Sequence, residues 1–267
     1  MIIGAHPLAV IVLAAACLFA VPAAAAAPDL SNDLSAISSR GRALFEYDAE
    51  AADASDAVLA KAGSDTSNLG SFIGRKSGES WTFDFGKLDA DGSSYRVAYR
   101  AVRAARGAAF EVTKYDTPIA GDDFEAASSR GIALAAADFG PVNRAYNYAV
   151  LPAEDGKLII YYYPAQTNTR VHPLGGDERY LAANDGRTLL AKHRMHRAIL
   201  EQPSAVQPGQ SLAAGVHTDI FGDVPEDTDV FHVLIRVPHV PEFVVIRGRM
   251  FYIEINGSIQ DRGMVPR

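Results

Sequence analysis

Apolar residues recur at two different periods along this chain, and the changes of period divide it into segments. From Ser31 to Ala62 the spacing is helical: Leu34, Ile37, Leu44, Phe45, Ala52, Val58 and Leu59 fall along one side, and Lys61 followed by Gly63 supplies a stop. Alternation with a period of two then takes over. Trp81 to Phe85, Tyr95 to Val102 and Phe110 to Tyr115 read as strands, with reversals at Asp91-Gly92 and Arg106-Gly107. A second helix starts after Asp122, with Glu125 placed to close a capping box, and ends at Gly140-Pro141. Four further strands are predicted at Ala145–Leu151, Lys157–Pro164, Glu178–Asn184 and Arg187–His193, two of the turns being Asp155-Gly156 and Asp185-Gly186.

Glu201 to Gly209 carries two prolines and small polar residues, and reads as a linker. Beyond it the pattern predicts a strand at Leu212–His217, an acidic loop, a short helix at Thr228–Val237 and strands at Glu242–Arg247 and Met250–Ile255. Hairpin connections dominate, so the expected class is α+β, with helices packed on antiparallel sheets. The segment Ser38–Leu44 echoes Ser128–Leu134 at all but one position, which suggests a duplicated helix-plus-sheet unit. The expected organisation is a signal peptide (1–26), two such units (27–120 and 121–200), a linker (201–210) and a C-terminal βαββ segment (211–267).

Charge distribution separates the first residues from the rest. No Lys, Arg, Asp or Glu occurs from Met1 to Ala26, and Leu8 to Val21 is apolar, with small residues following. This is the composition of a secretory signal, and the mature chain is expected to begin near Ala26 or Ala27, without a membrane span. Cys17, the single cysteine, follows Leu13-Ala14-Ala15-Ala16 in a lipobox-like context. A lipid anchor through Cys17 and removal of Cys17 with the signal both remain open. In the second case no thiol nucleophile is left. The net charge of −7 over 267 residues argues against nucleic acid as a partner.

Most local signals for chemistry resolve into structure. Lys87–Gly92 lacks the ligands of a calcium loop and reads as a turn, as does Asn256-Gly257-Ser258. Tyr161-Tyr162-Tyr163 reads as an amphipathic strand with one face in the core. His193 and His196, three apart beside Arg194 and Arg197, read as a surface helix start.

The stretch from Val216 to Val230 carries more. His217 and Asp219 stand two apart on a strand and therefore point the same way, while Asp229 falls at a helix start and could close a site with them. The stretch resembles the zinc motif of JAMM (JAB/MPN-like) metallopeptidases, in which a strand ends in H-x-H-P and S-x-x-D opens the next helix. His217 and Asp229 match that pattern directly. Asp219 stands at the second His, Ile220 at the Pro and Glu226 at the Ser, with a loop one residue shorter. The resemblance covers residues 211–256 and implies a zinc ion held by His217, Asp219 and Asp229, with an upstream Glu to activate water. Glu178 and Glu201 are both available for that role.

Taken together, the residues describe an exported bacterial protein, periplasmic or extracellular, with a non-catalytic binding or structural role, no cofactor and an unidentified partner. The resemblance implies the alternative, a divergent metal-dependent hydrolase using zinc.

Overall fold

A computed structural model describes residues 33–168, 171–203 and 211–265. The expected signal peptide and Cys17 lie outside these residues. Helix α1 (Leu34–Ala62) begins at Asp33, whose carboxylate accepts the Ser35 N–H at 2.7 Å, and stops at Gly63. It leads into a four-stranded antiparallel meander of β1 (Ser71–Ser77), β2 (Ser80–Leu88), β3 (Tyr95–Arg103) and β4 (Glu111–Ala120). Strand β1 is additional to the strands expected here.

Trp81, Phe83 and Phe85 alternate along β2 and are all buried. Trp81 stacks on Phe83 at 5.6 Å between centroids, and Tyr47 of α1 meets Phe83 edge-on at 5.5 Å. Trp81→Ala is expected to lower the unfolding free energy by about 3 kcal/mol, the low end for deleting a core aromatic, because Trp81 also borders a surface cavity. Chemical denaturation measures this, and an unchanged midpoint would show that the aromatic face carries no stability.

Helix α2 (Asp123–Phe139) forms the expected capping box. The Asp122 carboxylate accepts the Phe124 N–H at 2.9 Å, and the Glu125 side chain accepts the Asp122 N–H. The helix leads to a second antiparallel sheet, ordered β5 (Tyr146–Pro152), β6 (Leu158–Pro164), β8 (Glu178–Ala182) and β9 (Leu189–Arg194). Between β6 and β8 the chain forms β7 (Val171–Gly175), which leaves that sheet and pairs with β10 (Ile199–Pro203). Strand β10 thus takes up residues at the start of the segment expected to be a linker.

The final part is strand β11 (Gly215–Asp219), helix α3 (Asp227–Ile235), then β12 (Glu242–Ile246), β13 (Arg249–Ile253) and β14 (Ile259–Met264). They form one sheet in the order β11-β12-β13-β14, with β11 and β12 parallel and joined through α3. The fold is α+β with mostly antiparallel sheets, as the patterning implied. The β11–β12 pair is the parallel exception, because a helix, not a hairpin, connects those strands. Both tested turn readings hold: Gly92 N–H bonds Asp89 O at 2.9 Å, and Gly257 N–H bonds Glu254 O at 2.8 Å.

The described residues form one compact unit. Ile160 and Tyr162 join the core beneath α2, while Val230 and Val233 of α3 join Ile37 of α1 and Phe251 of β13 in a second core. Among the described residues, no helix is long and apolar enough to cross a membrane.

Candidate metal centre

Three elements converge at the start of α3. Its first turn is acidic, with Asp227 and Asp229 favoured there by the helix dipole. The Asp229 carboxylate bends back to accept the Glu226 N–H on Oδ2 at 2.8 Å. That bond fixes the side chain and leaves Oδ1 for another partner. His217 arrives from β11, whose burial alternates so that His217 and Asp219 face inward while Val216 and Thr218 face out. His196 arrives from just beyond β9, where the Met195 N–H is held by the Asp177 carbonyl at 3.1 Å.

His196, His217 and Asp229 each offer one ligand atom to a common point, and those atoms lie within 4.8 Å of one another. His217 Nε2 is 2.9 Å from Asp229 Oδ1, and His196 Nε2 is 3.2 Å from the same oxygen. Despite these distances, none of the three atoms has a hydrogen bond of acceptable geometry, although all three are buried. Short separations without alignment mean that the donor directions pass beside the carboxylate oxygen. Ligands about 2.0–2.1 Å from a tetrahedral ion stand about 3.3 Å apart, close to the two separations from Asp229 Oδ1.

Each imidazole is held from behind. His196 Nδ1 meets Asp177 Oδ1 at 2.9 Å, and His217 Nδ1 meets Glu242 Oε1 at 2.8 Å. A carboxylate on Nδ1 fixes ring orientation and directs the Nε2 lone pair at the shared point. The Asp177 turn depends on Gly175 and Gly176, both at positive φ. A Cβ on Gly175 would stand 2.5 Å from Ala198 O and 2.9 Å from His196 Cβ. Glu242 is itself anchored, because Arg236 Nη1 donates to its Oε2 at 2.5 Å. A Cβ on Gly215 would collide with that carboxylate at 1.9 Å.

The electrostatics follow from this packing. Burial opposes charge on His217, but Asp229 and Glu242 outweigh it and raise the imidazole pKa to about 9. His196 is raised in the same way, against burial, by Asp177 and Asp229. Burial also disfavours the Asp229 carboxylate, yet the two imidazoles hold its pKa well below the usual carboxylate range. The site therefore demands positive charge beside Asp229, which protons on the histidines or a bound cation can both supply. His232, which shares Gln202 with Arg236, goes the other way: burial, then Arg236 and His217, push it down to about 3.

Other polar residues ring the centre. Asp227 is fully buried and accepts from Arg40 of α1 at 3.0 Å, from the Tyr161 hydroxyl at 2.8 Å and from Arg179 of β8. Glu226, raised by burial against the pull of His193, contacts His193 Nε2 at 2.8 Å. The His193 side chain is 37% exposed, so this pair links the helix start to solvent.

Of the residues picked from sequence, the structure brings His217 and Asp229 together. Asp219 is buried on the same face of β11, with Oδ1 accepting the Phe221 N–H at 3.0 Å and Oδ2 unpartnered, but it lies outside the three-residue group. The third member is His196, which the expected surface helix hid. That helix does not form: the Asp185-Gly186 hairpin carries β9 through His193, paired with Arg179, and His196 is buried beyond its end. Tyr161, Tyr162 and Tyr163 are likewise buried on both faces and not on one, because β6 is an interior strand covered by α2 and α3. Of the upstream glutamates, Glu178 accepts from the Tyr180 hydroxyl and Glu201 pairs with Arg144. Comparison with known protein families, curated proteins and solved structures finds no match to this chain.

Proposed function

We propose that this chain is an exported metal-dependent hydrolase whose His196, His217 and Asp229 hold one zinc ion. The observation that carries the reading is the coincidence of two facts. The three atoms that converge are buried and lack hydrogen bonds, and both imidazoles are oriented from behind by carboxylates. The contacts among the three are close ion pairs on a single carboxylate oxygen, and it is beside that oxygen that a cation would sit. The two-nitrogen, one-oxygen donor set suits zinc, and three protein ligands leave a fourth position for water, the arrangement of catalytic sites.

A zinc ion bound there would supply a water whose pKa is lowered towards about 7. Glu226, at the N-cap of α3, contacts the partly exposed His193 and so lies between the helix start and solvent. The apolar, charge-free residues before Ala27 support export. A second reading has its own support: Asp229 is fully buried and the imidazoles are 6–7% exposed, so the ion could instead brace a non-catalytic envelope protein.

Elemental analysis tests metal binding. The wild-type protein is expected to retain about one zinc per chain after dialysis, and His196→Ala to retain almost none, since losing one of three ligands cripples the site. Zinc well below one per chain in the wild type overturns the proposal. Cobalt(II) substitution then separates the two readings. Acetohydroxamate should change the visible spectrum if a fourth position is open, and an unresponsive spectrum assigns the ion a bracing role.

A further inference from the structure

A second site lies apart from the metal ligands, between α1, β5, β6 and α3. A cavity of about 540 Å³ is bordered there by Phe45, Phe72, Tyr148, Tyr163, Phe231 and Asp48, and among the described residues neither Lys nor Arg lines it. Its volume is within the range of small-molecule sites. Phe72 and Tyr148 stack at 4.8 Å between centroids, and Tyr163 meets Phe231 edge-on at 5.1 Å. These ring-to-ring contacts hold the aromatic side chains together as an apolar lining.

Asp48 supplies the formal charge. Its Oδ1 accepts from the Tyr163 hydroxyl at 2.7 Å and from Asn147 Nδ2 at 3.2 Å, so both bonds fall on one oxygen. Among the described residues Asp48 has no ion pair, whereas Asp53, also at the cavity, is paired with Arg103. His172 adds no positive charge to the lining, because burial and then Arg236 lower its pKa. A carboxylate without an ion pair among the described residues, set among aromatic side chains, is complementary to a cation that is apolar on its surface.

We propose that this cavity binds a small alkylated or quaternary ammonium ion, with Asp48 as counter-ion and the aromatic rings as its walls. Desolvation raises the Asp48 pKa, and a bound cation would reverse that penalty. The proposal is independent of the metal centre, so binding is measured on protein treated with chelator and again on protein loaded with zinc.

Isothermal titration calorimetry with choline and with 3,3-dimethylbutanol, its uncharged analogue of similar shape, tests it. Choline is expected to bind saturably in both preparations, and the neutral analogue about tenfold or more weakly. Asp48→Asn keeps an acceptor for Tyr163 and Asn147 but removes the charge, and should weaken choline by a similar factor. Equal binding of choline and its analogue would reduce the cavity to an apolar one and overturn the proposal, as would no saturable choline binding in the millimolar range. Should Asp48→Asn fail to fold, the comparison of the two ligands on the wild type still decides.

Discussion

Asp227→Ala should destabilise the protein by about 4–5 kcal/mol, read as a lowered midpoint in urea unfolding. Asp227 is fully buried, and its carboxylate is shared by Arg40 of α1, Arg179 of β8 and the Tyr161 hydroxyl of β6. Arg179 is itself buried, so removing the carboxylate strands a guanidinium in the interior. That loss exceeds the worth of any surface ion pair, which rarely reaches about 1 kcal/mol. Asp227→Asn keeps the acceptor and loses only the charge, so it should cost less than the alanine variant. A shift within error for Asp227→Ala would mean that the pocket rehydrates, and that the network does not hold α1 and the second sheet against α3. The same network has a consequence for the site: it fixes the first turn of α3, two residues before Asp229.

The fold class was legible because patterning and turn chemistry agree along most of the chain. The Asp122 box, the Gly63 and Gly140 stops and the Asp-Gly hairpins are local signals with local outcomes. Strands β7, β10 and β14 were harder. Strands β7 and β10 are short and pair only with each other, and β14 is an edge strand, so tertiary pairing and not alternation makes them. The site divides in the same way. His217 and Asp229 were visible since one lies on an alternating strand and the other in a capped helix start. His196 was not, because beside Arg194 and Arg197 it reads as part of a surface helix start. Only the β8–β9 pairing carries it inward to meet residues 21 and 33 positions further on in the sequence. Asp177 gave one usable hint: it follows two adjacent glycines, the composition of a turn that must approach another backbone closely.

The second shell gives the sharpest separation between a metal centre and a buried ion network. Asp177→Asn and Glu242→Gln should each weaken zinc by about 10–100-fold, measured by competition with a chelating indicator. Each variant keeps the size of the side chain and can still accept a hydrogen bond from Nδ1, but it no longer raises the basicity of the ligating imidazole. Glu242→Gln carries a further cost, because Glu242 Oε2 also accepts from Arg236 and the charge of that buried guanidinium would lose its counterpart. The stability of the metal-free variants therefore has to be measured beside their affinity. A metal centre predicts that Asp177→Asn loses affinity out of proportion to stability, since Asp177 meets His196 but is not a ligand. A buried ion network predicts the opposite: both variants lose stability, and any zinc bound is weak and indifferent to Asp177. Asp219→Asn serves as the internal reference, because Asp219 sits on the same strand face as His217 yet outside the three-residue group. Its zinc affinity should stay within about threefold of the wild type, and a loss as large as that of Asp177→Asn would show that Asp219 supports the centre although it lies outside the three-residue group.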